Sequence, residues 1–233
     1  MRSSVGKFSP QVRARRVKRD VETRERLLES ALLLFAERGF HHVTVRQISQ
    51  RARVNLAAIS YHFGDKLGLY SEIFEGAIAG MRALNDACIE AAKTLSAEDK
   101  IRHFVRTYLP LGARPDGRTA LLQQLMRHEM QEPTAVLGRV VERGILPRLQ
   151  YLSGAVAEML DCAPEDERVR MCVLSIQGQF LFFIRNKFHS QFYAGWLPAA
   201  DEDLARTTEH VAEFSLAGIR ALATRQGARR RDP

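Results

Sequence analysis

The chain has 233 residues, 45% of them hydrophobic, and carries 35 Lys and Arg against 27 Asp and Glu, a formal net charge of +8. That size suits one small and one larger domain with a sizeable core. The longest apolar run, Val173 to Ile184, is interrupted by Gln177, Gly178 and Gln179 and is too short and polar to span a membrane. No apolar stretch follows the basic N-terminus, so a secretory signal is not expected. Cys88, Cys162 and Cys172 lie far apart without metal-binding spacing. A soluble cytoplasmic protein with free thiols is the expectation. Residues 1–70 hold 14 basic against 6 acidic side chains, while the remainder hold 21 of each. A polyanion such as nucleic acid would be drawn to that first third, although charge alone also fits a basic solubilising tail.

Residues 1–20, with Arg13, Arg15, Arg16, Lys18 and Arg19, read as a flexible basic arm. Leu27, Leu28, Ala31, Leu34 and Phe35 then recur at helical spacing, which predicts a helix over 21–38 ended by Gly39. Thr44 and Gln47 have capping-box spacing, with Val43 and Ile48 as the accompanying staple, so a short helix is predicted over 45–52. Asn55 can cap a third helix stopped by Gly64, and Asp65 can cap the long helix that follows.

Two short helices packed on a longer one form a helix-turn-helix unit, here bounded at 21–66. The second of the pair would enter the major groove with Asn55, Leu56 and Ala57 foremost. Leu56 and Ala57 can offer only apolar contacts, for instance to a thymine methyl, and Asn55 can serve mainly as a cap. Thr44, Tyr61, His62 and Lys66 suit phosphates, and Arg46 suits either partner. The plainer alternatives are interhelical packing for Tyr61 and His62 and a solvated side chain for Lys66.

The stretch from Thr23 to Tyr70 resembles the DNA-binding domain of the TetR family. The resemblance rests on Phe35, Gly39 and Phe40 in FAERGF, Thr44 and Ile48 in TVRQIS, and Tyr61, His62, Phe63 and Lys66 in YHFGDK, followed by Leu69 and Tyr70. Arg53 stands where that family usually has a glycine, and Leu67 where it usually has an acidic residue.

Residues 67–225 read as a helical effector-binding and dimerisation domain, with a basic tail over 226–233. Apolar positions continue at helical spacing from Leu69 to Cys88, and this helix is expected to carry movement between head and body. Ile101–Leu109 is expected to end at Pro110, and a segment from Leu121 to end near Pro133. Pro147 should bend the segment from Pro133 to Leu160. Two final helices are expected, over Val169–Phe192 and Glu202–Ala223. Their surplus apolar surface suits pairing across a two-fold axis, an intramolecular core being the alternative. LLQQLMRHEMQEPT at Leu121–Thr134, ILPRL at Ile145–Leu149 and CVLSIQGQFLFF at Cys172–Phe183 resemble the C-terminal domain of CecR-like regulators, a TetR branch. That resemblance implies a regulator answering to a small effector.

Polar Arg127, His128, Glu129 and Gln177, with Phe104, Met126, Phe180 and Phe183 as wall, form the candidate effector site. No nucleophile spacing, phosphate loop or dinucleotide fingerprint is present, so neither catalysis nor a cofactor is expected. The reading is an all-α, homodimeric, sequence-specific DNA-binding repressor, released from a palindromic operator by a small molecule. The alternative is a helical scaffold with non-specific nucleic-acid affinity.

Overall fold

The computed structural model describes residues 10–113, 115–183, 191–193, 195–196 and 201–229. Every regular element among them is helical: α1 Pro10–Arg38, α2 Val45–Ala52, α3 Ala57–Phe63, α4 Lys66–Ala91, α5 Ala97–Ala113, α6 Gly117–Gln131, α7 Val136–Val140, a π-helical turn Val141–Ile145, α8 Leu146–Leu160, α9 Glu167–Phe183 and α10 Asp201–Arg229. The all-α class is as expected.

The first correction concerns the basic arm. Residues 10–20, expected to be flexible, are continuous with α1. Pro10 suits a first helical position, and no further Pro or Gly occurs before Gly39. Arg and Lys, which dominate the segment, are good helix formers in their own right. Residues 1–9 of the expected arm lie outside the described residues.

One other expectation fails at a proline. Pro110 does not end α5, which continues to Ala113. It removes one hydrogen bond in the last turn, where buried Leu109 and Ala113 keep the helix on the core. Pro147, by contrast, sits in the first turn of α8, and the irregularity precedes it as the π turn. A missing N–H at Pro147 breaks the i to i−4 ladder there, and a wider turn accommodates the gap. The helix expected to reach Phe192 is described as α9 only to Phe183, and residues 184–190 lie outside the described residues. α10 carries the first four residues of the expected basic tail, 226–229, in helical form.

The chain forms two compact units whose boundaries do not follow chain order. One comprises residues up to Ala77 together with Arg118–Leu137, the other Ile78–Gly117 with Gly138 onward. In the first, α1 packs against α2 and α3 around Leu27, Phe35, Ile48, Ile59, Leu69 and Tyr70, all nearly inaccessible to solvent. In the second, α5, α8, α9 and α10 pack mutually through side chains such as Ile101, Phe104, Leu152, Val156, Ile176 and Leu216. Each side chain of this size stabilises its unit by roughly 1.5–3 kcal/mol when fully buried. Asn85 on α4, itself buried, joins three elements of the second unit. Its amide donates to the Gly144 carbonyl at 3.0 Å, and it accepts from the Tyr108 hydroxyl at 2.8 Å. The π turn therefore has a buried carbonyl answered by a side chain.

Candidate nucleic-acid interface and regulatory core

The turn between α2 and α3 is built from local instructions. Thr44 caps α2 with both arms of the capping box: the Gln47 amide N–H donates to Thr44 Oγ1 at 3.3 Å, and Thr44 N–H donates to Gln47 Oε1 at 2.8 Å. At the other end, Arg53 N–H donates to the Gln50 carbonyl and Val54 N–H to the Ser49 carbonyl, a Schellman motif. That motif places Arg53 in the left-handed region at φ +54°, which strains any residue with a Cβ. Arg26 of α1 secures the turn, its guanidinium donating to the carbonyls of Ala52 and, at 3.0 Å, Arg53.

Asn55 caps α3 as expected, its Oδ1 accepting from the Ala57 N–H at 2.9 Å. Leu56 already has helical dihedrals, so the first regular residue falls two beyond the cap. Asn55, Leu56, Ala57, Ser60 and Tyr61 are all exposed, as are Thr44 and Arg46. Leu56 and Tyr61 show 48% and 74% of their surface to solvent, which leaves both side chains accessible to a partner.

His62 and Lys66 face other tasks. The His62 side chain is 8% exposed, with Nε2 3.6 Å from Asp20 Oδ1. Lys66 Nζ donates to the carbonyls of Phe40 at 3.0 Å and Val43 at 2.9 Å and lies 4.3 Å from the Phe40 ring centroid. Burial lowers its pKa below the usual lysine value. The sequence reading took both for phosphate ligands. The structure engages them within the head, where Lys66 ties the start of α4 to the loop after α1. Gly68 makes this junction possible, since a Cβ there would lie 2.0 Å from the Phe63 carbonyl oxygen.

The segment Arg118–Leu137 completes this first unit. Tyr70 donates to Glu129 Oε2 at 2.7 Å in a buried bond, while Glu129 Oε1 accepts from the Thr134 amide and hydroxyl at 2.7 and 2.8 Å. Burial and the neighbouring carboxylate push the Tyr70 phenol well above its ordinary pKa. His128 Nε2 lies 3.1 Å from the Ala36 carbonyl, so that nitrogen carries the proton. Both carboxylate oxygens of Glu129 and one ring nitrogen of His128 are thus engaged, rather than open to an effector as the sequence reading had them. Met126 and Arg127 share this segment.

The remaining effector candidates, Phe104, Gln177, Phe180 and Phe183, belong to the second unit. Phe104 stacks on Phe180 with centroids 5.9 Å apart and meets Tyr108 at 4.6 Å. Phe180 and Phe183 flank the core, and Gln177 Nε2 is buried without a hydrogen-bond partner among the described residues. Sequence reasoning missed Arg148 and Tyr151 of α8. Their polar atoms Nε and Oη are likewise buried and unpartnered among the described residues, and Arg148 lies over the Tyr108 ring at 5.4 Å. The available signal was position: Arg148, Leu152 and Ala155 follow helical spacing, and the last two are core residues.

A capped, rigid turn presenting an exposed helix start from a basic head defines a helix-turn-helix DNA-binding protein. Residues 27–73 match the family described as bacterial regulatory proteins, tetR family, and residues 97–219 match the C-terminal domain of the HTH-type transcriptional dual regulator CecR. The chain belongs to the TetR family of transcription regulators, in its CecR-like branch, and is a dimeric DNA-binding regulator of transcription. The HTH-type transcriptional dual regulator CecR of Shigella flexneri is 28% identical over 191 residues, 78% of this chain and 84% of that protein. The probable HTH-type transcriptional regulator YttP of Bacillus subtilis is 45% identical over 60 residues, 24% of this chain and 29% of its own. The crystal structure of HlyIIR, a hemolysin II transcriptional regulator, shares the fold with a TM-score of 0.55 at 18% identity, covering 82% of this chain and 97% of that one. No described helix is long and apolar enough to cross a membrane.

Proposed function

We propose that this regulator is a cytoplasmic repressor that seats the start of α3 in successive major grooves of a palindromic operator and leaves it when a small molecule binds the second unit. The observation that carries the reading is the exposed row Asn55, Leu56, Ala57 and Tyr61 on a turn fixed at both ends by caps. A rigid turn presents its side chains at defined spacing, and a two-fold dimer repeats them about 34–36 Å apart for half-sites one helical turn apart. Leu56 and Ala57 give apolar contact to bases, while Arg46, Tyr61 and the exposed Thr44 reach phosphates. Lys66 and His62 hold the turn in shape.

The dimer contact is assigned to α9 and α10. Met171, Leu174 and Leu181 form one exposed apolar line on α9, and Phe214 and Leu222 another on α10. Gly178 and Gly218 lie on the same lines with open space beside them, allowing partner helices to approach closely. An effector acts only as far as it binds the DNA-competent and released forms unequally. α4, which contributes to both units, is the element that would transmit the difference.

The test is selection of bound duplexes from a random pool at two salt concentrations. An enriched inverted repeat whose affinity falls with salt supports the proposal. Salt-sensitive binding with no enriched sequence would instead reveal a helical scaffold with a basic head.

A further inference from the structure

Among the described residues, the second unit holds several buried side-chain polar atoms with no hydrogen-bond partner. Arg148 Nε–H, Tyr151 Oη, Gln177 Nε2 and His103 Nε2 are all buried and unpartnered among the described residues. Three of these groups carry donor hydrogens in every neutral-pH form, and the imidazole nitrogen carries one in one tautomer or when protonated. Buried polar groups normally find partners, and an unpaired buried charge is among the costliest arrangements a core can hold.

Arg148 lies against an aromatic surface of this core. Arg148 and Tyr151 are three residues apart on α8 and so share a face. The Arg148 guanidinium lies 5.4 Å from the Tyr108 centroid, Tyr108 lies 4.6 Å from Phe104, and Phe104 lies 5.9 Å from Phe180. Gln177 stands one turn before Phe180 on α9, and His103 adjoins Phe104 on α5. Burial lowers the Arg148 pKa, with the neighbouring Tyr108 phenol acting in the opposite direction. The Tyr151 phenol is pushed up to about 12, first by burial and then by the neighbouring Cys88 thiol. It therefore remains a protonated donor across the neutral range.

We infer that Arg148 and Tyr151 form the polar end of an effector site for an organic anion, a carboxylate carrying an apolar body that lies along Phe104 and Phe180. The inference rests on the effector-regulated reading above and names the chemical class of the ligand. A carboxylate supplies the acceptors the cluster lacks and neutralises its guanidinium. A neutral ligand with the same body would satisfy the aromatic surface but leave the cation uncompensated, and a cationic one would add repulsion.

Thermal melts of the full chain test this with matched probes: decanoate, decanamide and decyltrimethylammonium, then salicylate and salicylamide. At least one carboxylate is expected to raise the Tm and to bind about 10- to 100-fold more tightly than its amide, with no stabilisation by the cationic probe. Arg148→Met should abolish that preference while raising the ligand-free Tm, because it removes a guanidinium whose Nε is buried without a partner among the described residues. Arg148→Lys should keep part of the preference. Equal binding of acid and amide, no response to either carboxylate, a preference surviving Arg148→Met, or a lower ligand-free Tm for that variant would each overturn the inference. Operator selection without additives is independent of these melts. An anion preference without an enriched operator would refute the repressor reading and leave the anion site standing.

Discussion

The turn that presents α3 and the core of the second unit treat polar groups in opposite ways. In the turn, Thr44, Gln47, Asn55, Arg26 and Lys66 all answer backbone groups, so the geometry offered outward is closed before any partner arrives. In the second unit, Arg148, Tyr151 and Gln177 keep buried atoms unanswered among the described residues. A surface that must meet DNA at fixed spacing gains from being complete in itself. A core that must change on binding needs contacts that only the ligand can supply.

The most disruptive way to break the closed turn is Gly68→Ala. With the Phe63 oxygen 2.0 Å from the added Cβ, α3 and α4 cannot keep their junction. A loss on the order of 3 kcal/mol or more is expected, read as a fall in Tm together with loss of operator binding. Tyr70→Phe comes next, leaving Glu129 Oε2 without its 2.7 Å donor in a buried site. About 2 kcal/mol should disappear from the denaturant midpoint, and an unchanged midpoint would show the bond to be incidental.

Lys66→Ala sharpens the distinction between a side chain that shapes the head and one that touches DNA. It should cost about 1–2 kcal/mol of stability through the two carbonyl bonds. The slope of log affinity against log salt should stay unchanged. A slope smaller by about one would return Lys66 to the phosphate role that its sequence context suggested. The smallest effect runs the other way. Arg53→Gly relieves a left-handed residue with φ +54° and should stabilise the head by about 0.5–1 kcal/mol, visible as a modest rise in Tm at unaltered operator preference.

What the sequence disclosed and what it concealed divide along the range of the interactions. The α2 capping box spans four residues, and its chemistry is readable from Thr44 and Gln47 alone. The Gly39 and Gly64 stops are equally local, with both residues at φ +79°. The Tyr70–Glu129 bond crosses 59 positions, and nothing near Glu129 marks it as part of the head. Lys66 stands beside a basic DNA-binding motif as a phosphate ligand would, and its bonds to two backbone carbonyls 23 and 26 residues upstream are long-range contacts that its local sequence does not show. The basic residues after Pro10 concealed a helix because charge reports exposure and says little about backbone order. Arg148 went unnoticed beside Pro147, although its register with Leu152 placed a guanidinium at a core position.

The assignment of Arg118–Leu137 to the first unit has a consequence for any attempt to transplant this protein's specificity. The reading head is assembled from two stretches separated in the chain by forty residues, from Ile78 to Gly117, of the other unit. A fragment ending at Ala77 would carry every residue of the helix-turn-helix and still lack the carboxylate that receives Tyr70 and the imidazole beside Ala36. Exchanging heads between such regulators at a single splice point would therefore separate each recognition helix from part of its own foundation, and a faithful graft would need two inserts.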